Sequence, residues 1–398
     1  MGSRRVADTP SVQHEACDVC VVGGGPAGSA TALRLARRGL HVIHLERRVF
    51  DACANDTLRS GEGIPPSTME QLKELELAGC SRWALSTVDH LVTRWPNGRT
   101  TDDQFPNDAT ITMIDRERFD QALFAAGAQA GVDARQGWQV RELALDPAGQ
   151  CDGVLALDPA RRPVTIRARL VVDACGRNAR SIIQLGLRKA LTCTQFLVVV
   201  LYVDALPELE PHRWEMHFWG GEQLAIMHVT ELAPGLVRCG LAVNLQTRHN
   251  TPTDRLPLFF WRHVQANRSL AQRFEHVRQV RPWYARAGLA YGVQRIALPG
   301  LLLVGDATGY LNPILGDGIW AALRSAALAS DVAYRACSAR DVSRARLAEY
   351  EQRWTAERRT RWHVARALLR GYEHPSLLAA PAYVAPFRKM LLGALLRR

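Results

Sequence analysis

Residues 18–48 read DVCVVGGGPAGSATALRLARRGLHVIHLERR: a strand, a tight turn, a helix and a second strand. Asp18 to Val22 is short and β-branched, the pattern of a buried strand. From Pro26 the apolar residues recur at helical spacing through Leu33 and Leu35, and Gly39 stops the helix. His41 to Leu45 is again strand-like, which completes one βαβ unit. Gly23-x-Gly25-x-x-Gly28 occupies the first strand–helix junction. There the first glycine makes the turn, the second admits a pyrophosphate against backbone, and the third lets helix and strand pack. Pro26 and Ala27 open the helix, whose free N–H groups suit phosphates. Glu46 ends the second strand, where an acid binds a ribose hydroxyl, with Arg47 beside it.

Outward from this unit, helices are expected at 67–78 and from Asp115 to Ala130, and strands at 139–145, 153–157 and 164–173. From about 190 to 245 the pattern becomes TQFLVVVLYVDA, RWEMHFW, QLAIMHVTE and GLVRCGLAV. Those runs predict an antiparallel sheet inserted into the nucleotide-binding fold. LPGLLLVGDA (298–307) returns to a buried parallel strand, and the chain from Gly318 onward reads as helical. The expected fold is α/β: a doubly wound, Rossmann-like domain with an inserted antiparallel-sheet substrate domain and a helical C-terminus. The expected boundaries are a disordered tail over 1–16, a discontinuous nucleotide-binding domain over 17–188 and 278–335, a substrate sheet over 189–277, and a helical region over 336–398.

The chain has 398 residues, 47% of them hydrophobic and 22% charged, enough apolar material for a large core. Its formal charge of +11 comes mostly from arginine, since Lys73, Lys189 and Lys389 are the only lysines. The arginines are spread along the chain without a recognition motif, so no nucleic-acid partner is expected. Nine scattered cysteines do not suggest a secreted disulfide framework, and Cys17 and Cys20 lack a second pair to complete a zinc site. No metal site is expected. Arg4-Arg5 is followed by no apolar segment before the first strand, so export is not expected and the cytoplasm is the expected address.

Three later segments extend the reading. LLLVGDATGYLNPILGDGIWAAL (301–323), RLVVDACGRNARSI (169–182) and IDRERFDQAL (114–123) follow the glycine turn in a specific order and spacing. Together they resemble the flavoprotein superfamily of para-hydroxybenzoate hydroxylase and geranylgeranyl reductase, over roughly residues 17 to 330. The resemblance implies FAD as cofactor, with NAD(P)H a transient electron donor. It implies that Glu46 binds the adenosine ribose, that Arg116 lies near the pyrophosphate or adenosine, and that Asp306 bonds the ribityl chain. The loop through Pro313, Gly316, Gly318 and Ile319 would follow the flavin ring. LRSGEGIPPSTMEQL (58–72) is similar to the family element that crosses near the flavin, making Arg59 a candidate contact for flavin or substrate.

The resemblance carries several reactions. The first expectation is a monooxygenase that hydroxylates an apolar or aromatic small molecule through a flavin hydroperoxide. The alternative is a geranylgeranyl-reductase-like enzyme that reduces carbon–carbon double bonds of a lipophilic substrate. Halogenases of this fold use a lysine and a W-x-W-x-I-P motif; HLVTRWPNGR (90–99) has Arg94 and Trp95 in the comparable stretch and the motif is absent. An electron-transfer flavoprotein would need a cysteine cluster that is also absent. Trp214, Met216, Phe218, Trp219, Met227 and Trp283 give the inserted sheet an apolar character suited to an apolar substrate. His217 and His228 are the candidate acid/base groups there. The leucine-rich C-terminal 30 residues suit either a weak membrane-surface contact or a cap on the substrate domain.

Overall fold

A computed structural model describes residues 13–50, 61–79, 82–189, 196–219, 225–244, 256–287, 292–310, 318–372 and 383–396. The first strand begins at Gln13, four residues inside the tail expected over 1–16, because it pairs in parallel with Pro163–Asp173 from Gln13 onward. Five parallel strands form the centre of one sheet. Their order is Leu301–Leu303, Pro163–Asp173, Gln13–Val22, Val42–Glu46 and Asp133–Gln136. Non-sequential neighbours of this kind define a doubly wound sheet. An antiparallel hairpin, Gln139–Leu145 and Cys151–Leu157, is attached to Pro163–Asp173.

Helix Pro26–Ala36 is buried along almost its whole length, against helices Gly318–Ser338 and Arg116–Gln129. Its small residues Ala27, Ala30 and Ala32 permit that close approach. The core around the parallel strands also takes Leu347, Tyr350 and Trp354 from helix Arg344–Tyr372. Tyr350 donates its hydroxyl proton to the Leu303 carbonyl at 2.8 Å. The expected helical region after 336 is therefore partly a layer of the nucleotide-binding domain.

The second large sheet has seven strands. Their order is Gln279–Ala287, Phe196–Val203, Leu236–Asn244, Ala225–Ala233, Arg213–Trp219, His90–Arg94 and Thr100–Gln104. Its pairings are antiparallel except between Arg213–Trp219 and His90–Arg94. The sheet thus draws strands from 90–104 and 279–287, segments the expected boundaries gave to the nucleotide-binding domain. A three-stranded sheet of Gly63–Ile64, Ile111–Ile114 and Ala84–Val88 connects the two halves.

Alternation along the seven-stranded sheet separates two faces. On one, Leu197, Val199, Met227, Val229, Cys239 and Leu241 pack beneath Phe260, Val264, Leu270 and Phe274 of helices Leu256–Gln265 and Arg268–Arg273. The opposite face carries Val198, Val200, Tyr202, Trp214, Met216, Phe218 and Ile226, and it turns toward the three-stranded sheet. The terminal helix Ala385–Leu396 buries Leu392 and Leu396 in the cluster on this second face, and Arg388 there is bidentate to Asp103. These leucines cap the sheet, the second of the two roles expected for the C-terminal residues. No helix among the described residues is long and apolar enough to cross a membrane.

Candidate flavin and substrate site

The glycine turn has little room for side chains. Gly23 has φ of +105°, and a Cβ there would lie 2.7 Å from the Ala174 carbonyl oxygen. A Cβ on Gly28 would overlap the Gly23 carbonyl oxygen, so the third glycine allows helix–turn contact. Gly305, also left-handed at φ +63°, would place a Cβ 2.7 Å from that of Ala27. The Gly305–Thr308 turn therefore sits directly on the start of helix Pro26–Ala36. That helix has Gly25 at its N-cap and no side-chain cap. Its first N–H groups and positive dipole end are left to an anion. The glycines let the turn and the helix start pack this closely, and the uncapped helix N-terminus at Gly25 fits a pyrophosphate.

Glu46 is buried at the end of Val42–Glu46 and accepts the Gly24 N–H. Its other oxygen accepts from the backbone and side chain of Arg48 at 2.8 and 3.1 Å. Arg48 reaches Asp120 at 3.7 Å, and Arg116 bonds Asp120 at 2.9 Å. A Cβ on Gly61 would lie 2.9 Å from the Arg116 guanidinium. One chain of charges thus runs from the glycine turn to the start of the 61–64 crossing. Arg116 lies at its far end. Arg47 is exposed, and Arg48, in the bend after the strand, is the neighbour that enters the network.

Asp173 organises the next turn. It accepts the N–H of Cys175 and both the N–H and hydroxyl of Ser181. Half-buried Asp306 adjoins that turn, its Cβ 3.8 Å from the position a Gly176 Cβ would take. Gly318 begins helix Gly318–Ser338, and Ile319 is buried with Leu33 and Ile64. Arg59, Pro313 and Gly316 lie outside the described residues.

These features match the FAD binding domain family over residues 16–361. The chain belongs to this family. It is an FAD-dependent oxidoreductase of the para-hydroxybenzoate hydroxylase and geranylgeranyl reductase superfamily. It is 28% identical over 350 residues to digeranylgeranylglycerophospholipid reductase 1 of Methanococcoides burtonii, covering 85% of this chain and 79% of that protein. It is 24% identical over 377 residues to the 1H-pyrrole-2-carbonyl-[peptidyl-carrier protein] chlorinase of Pseudomonas fluorescens, covering 84% and 79% respectively. A geranylgeranyl bacteriochlorophyll reductase-like protein of Thermoplasma acidophilum superposes with a TM-score of 0.77 at 21% identity, covering 97% of this chain and 92% of that one. A flavin-dependent brominase gives 0.78 at 18% identity, covering 96% and 93%. Those two likenesses establish shared fold.

The 61–64 crossing is fastened to the seven-stranded sheet. Buried Glu62 accepts from Arg238 Nε at 2.9 Å, from the Tyr202 hydroxyl and from the Gly61 N–H at 2.8 Å. Burial pushes the Tyr202 phenol well above its usual range, with the Glu62 charge adding to the rise. Ile64 packs into the helix layer, and Gly63 faces Ile111, Met113 and Trp214. Sequence reading missed Glu62, Tyr202 and Arg238 as a group, because they are brought together across at least 140 residues.

The two candidate histidines separate. His217 lies on the helix-covered face, with Nε2 2.8 Å from Glu215, and Arg273 bonds the same carboxylate at 2.6 Å. Burial would raise the Glu215 carboxyl, but the bonds from His217 and Arg273 outweigh it and hold it at about 2. His217 is pushed below its ordinary value by burial. It is a structural partner on the side away from the 61–64 crossing, which corrects its expected acid/base role. His228 lies on the facing side, opposite Met216. Burial, with the Arg238 charge beside it, lowers its pKa to about 3. Such a ring stays neutral near pH 7. The Cys17 thiol is raised to about 12 by burial, and no metal-ligand cluster occurs among the described residues.

Proposed function

We propose that this flavoprotein reduces carbon–carbon double bonds of a lipophilic substrate, with NAD(P)H as the source of electrons. The carrying observation is the apolar sheet face of Val198, Val200, Trp214, Met216, Phe218 and Ile226, fastened against the 61–64 crossing by Glu62. Such a face, with few polar groups, suits an extended apolar ligand. Trp95 extends it by stacking on Phe218, ring centroids 5.8 Å apart. The reductase names among the relatives support reduction over the hydroxylation first expected from the sequence. Halogenation is disfavoured: Lys73 lies exposed on its helix and is paired with Glu70 at 2.9 Å.

The uncapped N-terminus of helix Pro26–Ala36 would hold the FAD pyrophosphate, Glu46 the adenosine ribose and Asp306 the ribityl chain. Reduced FAD held there would supply the hydride equivalent for such a reduction, with the balancing proton drawn from solvent. The chain's own contribution is to exclude water and align the double bond along the sheet face. The test is to reduce the holoenzyme with NADPH without oxygen and then add a polyprenyl alcohol. Flavin reoxidation matched by saturated product is expected. Reoxidation only after oxygen is admitted, with a hydroxylated product, would replace this reading with the monooxygenase.

A further inference from the structure

On the face that carries the proposed substrate surface, two polar atoms are buried without a partner among the described residues: Trp214 Nε1 and His228 Nδ1. Their rings touch, centroids 5.7 Å apart and tilted by 54°. They occupy neighbouring strands in paired register, Trp214 opposite Thr230 and His228 opposite Met216. Diagonal neighbours of this kind share one face. The benzo edge of Trp214 lies 3.8 Å from where a Gly63 side chain would start, which places the pair beside the 61–64 crossing. Buried polar atoms in folded proteins nearly always have a partner, and exceptions call for an explanation. The two rings, in contact and set among Val200, Tyr202, Met216 and Ile226, bring two unpartnered polar atoms into an otherwise apolar surface.

We propose that Trp214 Nε1 and His228 Nδ1 form the polar anchor of the substrate site, taking an uncharged hydroxyl or carbonyl oxygen on a lipophilic chain. The inference rests on reading this face as the substrate surface, and not on the direction of the redox chemistry. An indole N–H only donates, whereas a neutral imidazole nitrogen donates or accepts according to tautomer. A hydroxyl accepts from Trp214 and donates to or accepts from His228; a carbonyl accepts from both. His228 remains neutral, so it offers no charge to an anion. The neighbouring cations are committed: Arg238 bonds Glu62, and Arg281 lies over the Tyr202 ring at 5.5 Å. A diphosphate head would find no cation released for it by either residue.

The test measures binding to the oxidised holoenzyme by titration calorimetry, with no electron donor present. Three probes share one chain and differ at its end: farnesol, farnesene and farnesyl diphosphate. Wild-type protein should bind farnesol about tenfold more tightly than farnesene, and more tightly than the diphosphate. Trp214→Phe and His228→Phe keep the rings and should each lose about threefold to tenfold for farnesol, leaving farnesene unchanged. Equal losses for farnesol and farnesene, a preference for the diphosphate, or no wild-type discrimination between alcohol and hydrocarbon would overturn the anchor. Wild-type discrimination decides the matter even where a variant folds poorly. The anaerobic turnover experiment fails or succeeds independently, because binding here involves no redox step.

Discussion

Two buried glutamates meet the seven-stranded sheet from opposite sides. Glu215 is held by Arg273 and His217, and ties the sheet to helix Arg268–Arg273. Glu62 is held by Arg238 and Tyr202, and ties the same sheet to the crossing that leads to the flavin helices. Their chemistry is nearly the same: a carboxylate, a guanidinium and a ring. Their positions differ. The Glu215 cluster closes a core that contains Phe260 and Leu270, whereas the Glu62 cluster borders the face where a ligand is proposed to lie. The same chemistry thus fastens two different layers to one sheet, the helices on one face and the 61–64 crossing on the other.

The comparison makes its largest demand on stability. Arg273→Ala strands the Glu215 charge in the interior and should cost about 3–5 kcal/mol in urea unfolding. FAD affinity of the fraction that remains folded should be unchanged. Loss of FAD affinity in step with stability would erase the distinction between the faces. Gly63→Val should have the opposite signature. Its Cβ would start 3.3 Å from Ile111 and press toward Trp214, so turnover should fall on the order of a hundredfold while flavin content holds. Full activity with the native substrate would remove the crossing from the site.

Glu62→Gln keeps the shape of the joint and removes its charge. Its cost should be about 1.5–3 kcal/mol, with a rise in KM that Glu215→Gln does not share. Matching KM values for the two variants would show that both clusters are merely structural. The smallest effect is in pH. His44, His217 and His228 are all lowered by burial from the ordinary value of 6.5, His228 to about 3. Each unfolded histidine takes up a proton below about pH 6.5 that its folded counterpart refuses, so stability falls as pH drops. At pH 6, His228→Phe should reduce that fall, relative to pH 8, by about 1 kcal/mol. A urea midpoint that stays flat from pH 8 to 5 would contradict the neutral, buried state of these rings.

The dinucleotide unit was legible because its signals are local. The helix expected from Pro26 ends at Ala36, followed by a turn to Gly39, and the strand expected at 139–145 has those bounds. The seven-stranded sheet was legible only in its middle. His90–Arg94 pairs with Arg213–Trp219, and nothing local to either segment announces a partner some 120 residues away. The histidines show the same limit. RWEMHFW alternates visibly, but which phase faces the helices is set by Phe260 and Arg273, far along the chain. Arg48 is a smaller case: one residue separates an exposed arginine from the one bonded to Glu46.

The mixed parentage of that sheet bears on how its specificity can be exchanged between relatives. A segment cut at the boundaries 189 and 277 would leave behind Gln279–Ala287 on one side and His90–Gln104 on the other. The excised piece would expose two raw edges, each a template for pairing with another copy. During synthesis, too, the strand at Phe196–Val203 must wait for residue 287 before its outer neighbour exists. Grafting substrate preference is thus a three-part transplant: the inserted strands, the 63–114 segment that carries one flank and the linking sheet, and the returning strand at 279–287.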